Sequence, residues 1–534
     1  MNILIVTNHF FYHNNTSEKA NLVFRRPWPL PSVKLYVEIL MENISNLANE
    51  SKTRSFSFAN LSFSTTLSLL HVIPILILTI ATLVILPQSL LLPYLAMTIL
   101  FIASTLFSIM ILTKSKKGTF FYLLNLMFLL GFWFKFSVQK LTNLSYREPI
   151  GGFILNSDAE IRVLWVIIFG IIGLFLAQLA SSYFFNKLPS KIMSKSNVDL
   201  PLKNAFLIIG MTLILATINL KYNILLFALK PSLILPFKGN VVYFLLLVRG
   251  TLFLFFYFCL KNLSQKMIFL GAIVATIASI GVLSRMIILV YFVVIFVYYL
   301  QNYDLWNLKK LVKNASFSII IFSFFSFITV LFGTGAREYF MNTASHSKPD
   351  IVYAINSIPE TISKIFNLNE KIKTYKELAL GRWIGMEGVM AVDAYPHKNF
   401  AFLWDALKEK SYHGNSFYTQ ISNPELYNKN LEKTVISTSV PGPIAFFYYS
   451  GSLMFVCFAI FATTLFFSGI EQLALKFFNQ THAVAIFIST IIVFDFFQFG
   501  ISPLAFVRYC SFTFISIAIF YYFIGSKLQK GIHE

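Results

Sequence analysis

One polar stretch of this sequence gathers side chains able to act together on a charged or hydroxylated ligand. It reads Gly381-Arg382-Trp383-Ile384-Gly385-Met386-Glu387-Gly388-Val389-Met390-Ala391-Val392-Asp393-Ala394-Tyr395-Pro396-His397. Glu387, Asp393 and His397 are groups that can take a proton from a hydroxyl. Arg382 presents a planar fork of donors suited to phosphate oxygens. Trp383 and Tyr395 offer flat faces on which a sugar ring can stack, and packing is their competing role. If residues 382–395 form one helix, Arg382 and Asp393 fall within about 20° of one face and Glu387 projects about 140° away. Arg382 and Glu387 then serve one ligand only if the helix breaks at Gly385 or Gly388. For Glu387, Asp393 and His397 alike, the plainer alternative is a solvated loop side chain.

The elements that must hold this stretch are membrane spans. The chain has 534 residues, 57% of them hydrophobic and 12% charged, with 60 Phe and a mean hydropathy of +0.70. Apolar runs of about 20 residues recur along it, which places it in the bilayer and excludes a soluble globule. The net charge of +20 is read as positive-inside topology and contact with anionic headgroups or a phosphorylated lipid, not as nucleic-acid binding. Cys259, Cys457 and Cys510 all fall within spans, without metal or disulfide spacing, and are read as packing residues. No metal-ligand spacing, Gly-rich phosphate loop or nucleotide fingerprint occurs, so no cofactor is expected.

Residues 1–66 form a basic N-terminal segment with no signal-peptide core, expected in the cytoplasm; residues 33–48 within it can be read as a surface helix or as disorder. Twelve spans are predicted, at 67–86, 89–113, 119–138, 161–185, 204–220, 242–260, 267–283, 286–302, 315–333, 442–466, 483–500 and 504–525. The fold class is therefore all-α integral membrane. Roughly half of the 43 Lys and Arg fall in the N-terminal segment, in alternate connections and in the tail 526–534, which puts both termini inside.

The long connection 334–441 then faces outward, between the bundle 67–333 and the last spans 442–525. Within it, Ser357-Ile358-Pro359-Glu360 reads as a helix start, a second helix runs from Arg382 to Tyr395, and a third begins at Asn399. Residues 221–241 are apolar but too short to span, and read as an interfacial or re-entrant piece on the outer face.

Ionisable residues inside spans are costly and usually face the bundle interior. Arg249 lies a few residues inside its span. Asp495 and Arg508 sit on consecutive antiparallel spans and should meet roughly 8 Å below the interface. Lys135 lies near an outer helix end and is expected to snorkel to the surface. Ser284-Arg285 forms a tight outer turn, and Arg337 lies just beyond the ninth predicted span. Arg249, Arg285, Arg337, Arg382 and Arg508 thus gather toward one membrane face, a disposition suited to a diphosphate.

Three features resemble the oligosaccharide repeat-unit polymerases of O-antigen or capsule type, relatives of the O-antigen ligases. These are the multi-span bundle with a large outer loop between late spans, Ser284-Arg285 opening a span, and Val440-Pro441-Gly442-Pro443-Ile444 leading into Ala445–Tyr449 and Gly451. The resemblance implies a GT-C-like fold and inverting, metal-independent glycosyl transfer at the outer face of the bacterial inner membrane. Donor and acceptor would be glycans on polyprenyl diphosphate. A flippase and a chain-length regulator are the implied partners. It places Arg285, Arg337 and Arg382 on diphosphates, with Arg249 and Arg508 deeper, and leaves Glu387, Asp393 and His397 unranked as the base. An O-antigen ligase, a lipid-linked oligosaccharide flippase and a non-catalytic assembly partner are the rival readings.

Overall fold

The computed structural model describes residues 63–115, 118–144, 146, 148–185, 202–226, 231–259, 264–302, 308–343, 383, 385–409, 416–425, 427, 441–477, 482–498, 507 and 511. The N-terminal segment up to residue 62, the helix expected at Ser357 and all but residues 507 and 511 of the span expected at 504–525 lie outside those residues.

Every regular element among the described residues is helical. The long ones are α1 (Phe63–Ile85), α2 (Gln88–Ser115), α3 (Thr119–Thr142), α4 (Ser157–Phe185), α5 (Leu202–Tyr222), α6 (Gly239–Phe258), α7 (Gln265–Val282), α8 (Met286–Asn302) and α9 (Leu308–Thr343). Four short helices follow: α10 (Met386–Ala394), α11 (Phe400–Lys408), α12 (Phe417–Ser422) and α13 (Pro443–Phe447). Two further apolar helices are α14 (Leu453–Phe477) and α15 (His482–Ile492). Among the described residues, 9 helices are long and apolar enough to cross a bilayer, and α8 and α15 are shorter apolar helices. The chain is thus a multi-pass membrane protein whose described residues are all-helical.

Three elements differ from those expected from hydropathy. The span expected at 315–333 lies within a longer helix, α9, over Leu308–Thr343. The predicted span 442–466 is broken, because Gly451 takes a left-handed φ of 72° after a 3-10 turn over Tyr448–Ser450. The Ser452 hydroxyl then accepts from the Phe455 amide and starts α14. The predicted helix 382–395 begins only at Met386, since Gly385 is extended with φ 175°. The helix expected at Asn399 is present, and the Asn399 side chain caps it by accepting from the Phe402 amide at 2.8 Å.

Among the described residues, three apolar helices contain or run into a π-helical turn, an inserted residue in the α-helical ladder. These are Leu129–Phe134 within α3, Leu246–Gly250 within α6, and Val493–Gln498, which continues α15. Each contains or adjoins a buried charged residue: Lys135 follows the first, Arg249 lies in the second and Asp495 in the third.

Lipid supplies no hydrophobic drive between helices, so close backbone approach and interhelical hydrogen bonds matter more. Gly173 of α4 lies against the Cys457 carbonyl of α14, where any Cβ would overlap it. Polar links join neighbouring spans: Asn125 of α3 to Ser104 and Thr105 of α2, Trp133 of α3 to Thr98 of α2, and Ser181 of α4 to Ser468 of α14.

The glycines of the polar motif serve the same end. A Cβ on Gly385 would collide with the Gly131 carbonyl, and one on Gly388 with the Pro441 carbonyl. Helix α10 can therefore press its backbone onto α3 and onto the start of α13. Gly388→Ala should destabilise the protein by about 1–3 kcal/mol through overpacking. Gly210→Ala in α5, where nothing lies within 4 Å of an added Cβ, should be neutral or slightly stabilising. Thermal unfolding in detergent checks the contrast, and equal shifts for the two variants would remove the close-approach account.

Candidate functional site

Helix α10 carries both acidic residues of the motif, one in its first turn and one in its last, and both are buried. A carboxylate withdrawn from water needs a charged partner. Each finds one on a membrane span.

Glu387 pairs with Lys135 of α3. The ammonium lies 2.7 Å from each carboxylate oxygen, and the two side chains are 1% and 2% exposed. Lys135 also donates to the Trp383 carbonyl at 2.7 Å. Lys135 therefore does not snorkel to the surface as expected; it turns inward and ties the chain before α10 to the bundle. Burial pushes the Glu387 carboxyl above the usual carboxylate range, and the Lys135 ammonium pulls it partly back. Around this pair stand Tyr146 and Tyr418, whose hydroxyls burial drives beyond the usual phenol range, with nearby carboxylates adding to the effect.

Asp393 pairs with Arg162, near the start of α4. Arg162 donates through Nε to one carboxylate oxygen at 3.1 Å, and its Nη2 lies 3.1 Å from the same oxygen. The Tyr448 hydroxyl donates to the other oxygen at 3.2 Å. The Arg162 side chain is 58% exposed while that of Asp393 is 2% exposed, so the carboxylate is held at the edge of the protein with its cation turned outward. Lys398 donates to the Asp393 carbonyl at 2.5 Å and to the Tyr395 carbonyl at 3.1 Å, closing the turn after α10. Its ammonium lies 5.5 Å from the centre of the Tyr448 ring. Burial lowers the affinity of Lys398 for its proton, an effect that Asp393 opposes. Burial likewise drives Tyr448 up, and the neighbouring Asp393 charge adds to this.

A third link closes this end of the bundle. Lys140 near the end of α3 bonds both carboxylate oxygens of Glu160 near the start of α4, at 2.6 and 2.7 Å. The connection between these helices docks on α12, with the Gly151 amide donating to the Ser422 carbonyl at 3.0 Å. Gly151 is left-handed at φ 60°, and a Cβ there would strike the Ile421 carbonyl.

The other motif residues fall as follows. His397 is exposed, its ring centre 5.6 Å from that of Tyr395. Tyr395 packs on Phe402 at 5.1 Å, within an aromatic group that includes Phe417 and Tyr449. Trp383 is half-buried against the core. Arg285 lies half-buried at the turn between α7 and α8. The side chain of Arg337, on α9, and the whole of Arg382 and Arg508 lie outside the described residues.

Asp495 is met differently from expectation. Among the described residues its partner is Arg249, with both side chains buried, so this intramembrane pair joins α6 to the π turn after α15; the expected pairing with Arg508 lies outside the described residues. Asp495 neutralises a guanidinium that the sequence offered as a deep phosphate contact. Among the described residues no three His, Cys, Asp or Glu come together as a metal ion would need.

Lys135 and Arg162 were the missed partners. The available signal was their position: each sits in the outermost turns of an apolar span, where a charge is expensive unless it has a mate. The sequence matches no family model, no curated protein and no solved structure.

Removing either member of the Lys135–Glu387 pair should destabilise the protein by about 3–5 kcal/mol, because the other charge stays buried. The double variant Lys135→Met/Glu387→Leu should recover more than half of that loss. A double-mutant cycle of thermal or denaturant unfolding measures the coupling, and strictly additive losses would show that the two side chains act independently.

Proposed function

We propose that the protein is a polysaccharide repeat-unit polymerase, joining polyprenyl-diphosphate-linked oligosaccharides by inverting glycosyl transfer at the outer face of a bacterial inner membrane. In this reading the acceptor sugar hydroxyl attacks the anomeric carbon of the donor glycan. The hydroxyl proton passes to a base, and the polyprenyl diphosphate leaves with the bonding electrons. The reading keeps twelve spans in a GT-C-like bundle, both termini cytoplasmic, the connection 334–441 outside, and a flippase and chain-length regulator as partners.

The observation that supports it best is the setting of Asp393. It is a buried carboxylate held by Tyr448 and Arg162 at an edge of the bundle that opens to solvent. A base must be fixed in orientation and still be reachable by a hydroxyl. Glu387 is fixed but enclosed with Lys135, and His397 is reachable but exposed. Asp393 is as buried as Glu387, each side chain 2% exposed, but its cation Arg162 stands exposed beside it, so the pair lies at the surface; we assign Asp393 as the base and give Glu387 the task of seating α10. Arg162 is a cation at this edge that the sequence had not singled out. Arg285, Arg337, Arg382 and Arg508 remain the proposed diphosphate contacts, for which positive side chains aimed at the leaving group are the general requirement.

Deletion in the native bacterium tests the assignment. Loss of a polymerase leaves lipid A core carrying single repeat units, loss of a ligase leaves polymer on the polyprenyl carrier, and loss of a flippase leaves single repeats inside the cell. Only the first outcome agrees with the proposal. Asp393→Asn should lower chain extension by roughly 100-fold or more at normal membrane abundance, and Tyr448→Phe by less. Arg285→Ala and Arg382→Ala should abolish long chains. Unchanged glycan length in Asp393→Asn would move the base elsewhere.

A further inference from the structure

The connection between α5 and α6 is built unlike a water-exposed loop. Three asparagines clasp it. Asn240 donates to the Ile224 and Leu233 carbonyls, each at 2.5 Å, and its side-chain oxygen accepts from the Leu235 amide at 2.7 Å. Asn219 donates to the Leu225 and Gly281 carbonyls and accepts from the Leu225 amide. The Asn223 side chain donates to the Ser232 hydroxyl at 3.0 Å, and the Ser232 amide donates to the Asn223 carbonyl at 2.9 Å. All three asparagines are buried.

Ile224 and Leu226 are buried beneath this clasp, while three other apolar side chains of the loop turn away from the protein. Leu233 is 41% exposed, Ile234 79% and Phe237 97%. Phe237 holds that position from a left-handed backbone, φ 53°, where Asn or Gly would sit with less strain.

Water would leave such backbone groups satisfied without help and would penalise three exposed apolar side chains. Hydrocarbon reverses both terms: each backbone group needs an internal partner, and the apolar side chains are at home. The loop's two ends are the end of α5 and the start of α6, both long and apolar enough to span, so it emerges at the depth where headgroups give way to acyl chains. Its basic residues fit that depth. Lys221 lies 5.4 Å from the centre of the half-exposed Tyr222 ring, and the sequence adds Lys230 and Lys238, an arrangement suited to anionic headgroups.

We propose that Leu233, Ile234 and Phe237 form a rigid wedge seated in the acyl region of the lipid leaflet at this end of α5 and α6. The occupant of this surface is the bilayer itself, and the asparagine clasp keeps the wedge from folding back. This inference is independent of the polymerase reading.

The test is a spin label at Phe237→Cys, with Cys259, Cys457 and Cys510 replaced by Ala, in vesicles of phosphatidylethanolamine and phosphatidylglycerol. The label should be reached by oxygen and shielded from a water-soluble nickel chelate as strongly as one at Val84→Cys, a lipid-facing position of α1. Nickel access typical of a water-exposed site would overturn the proposal, and so would a label shielded from both agents, which would mean a protein covers the wedge. Adding Asn240→Ala should sharpen the label's spectrum as the clasp loosens; an unchanged spectrum would overturn the role given to the clasp. Should the cysteine-free chain fail to insert, Phe237→Trp in the otherwise native chain reads the same depth. Brominated acyl chains should then quench more of its emission than that of the unsubstituted protein, and equal quenching would count against the wedge.

Discussion

A buried ammonium and a buried carboxylate cannot be left alone in a medium without water, and the pairing of Lys135 with Glu387 follows from that constraint. The pair joins a membrane span to a helix that belongs to a long polar connection. Once it forms, Gly385 can rest on the Gly131 carbonyl and Gly388 on the Pro441 carbonyl. Asp393 is then carried to Arg162 and Tyr448 at the other end of the same short helix. The polar motif is part of the bundle because one ion pair and two glycines leave it no other comfortable position.

The two ends of the bundle are organised differently. At the end that receives α10, charge is dense: Lys135, Lys140, Glu160, Arg162, Glu387 and Asp393 form three ion pairs between adjoining elements. At the opposite end of α3, polar side chains serve as a helix cap. The Phe120 amide reaches Glu471 of α14 at 3.4 Å, and Gln301 of α8 donates to the Thr119 hydroxyl at 2.9 Å. Free amides at a helix start need such acceptors wherever water is excluded. The first end has three ion pairs, one of them with an exposed guanidinium; the second keeps Thr119, Gln301 and Glu471 buried between spans. That asymmetry is why the chemistry is assigned to the first.

Much of this was legible in the sequence. Span positions followed from apolar run length, and the start of α11 followed from Asn399, because caps and hydropathy are local properties. The motif that carries Glu387 and Asp393 was legible too, as a concentration of polar residues beside apolar spans. Partners were not. Whether Asp495 meets Arg508 or Arg249 depends on which helix packs beside which, and nothing local encodes that. Lys135 looked like a snorkelling residue because its distance from the end of the apolar run is the same whether it turns outward or inward. The break before α14 was hidden for a related reason: Pro443–Phe447 is as apolar as a span, and only the left-handed Gly451 shows that the chain turns there.

The π turns bear on how this protein tolerates changes in length. Each holds one residue more than an ordinary helical turn, and the surplus is taken up within that turn without rotating what lies beyond it. Deleting one residue from Leu129–Phe134 would leave composition and hydropathy almost untouched. It would also close the wide turn to an ordinary one, whereas a deletion from the regular helix before it would swing Lys135 about 100° around the axis of its helix, away from Glu387. In this part of the chain the spacing of the residues carries as much information as their identity.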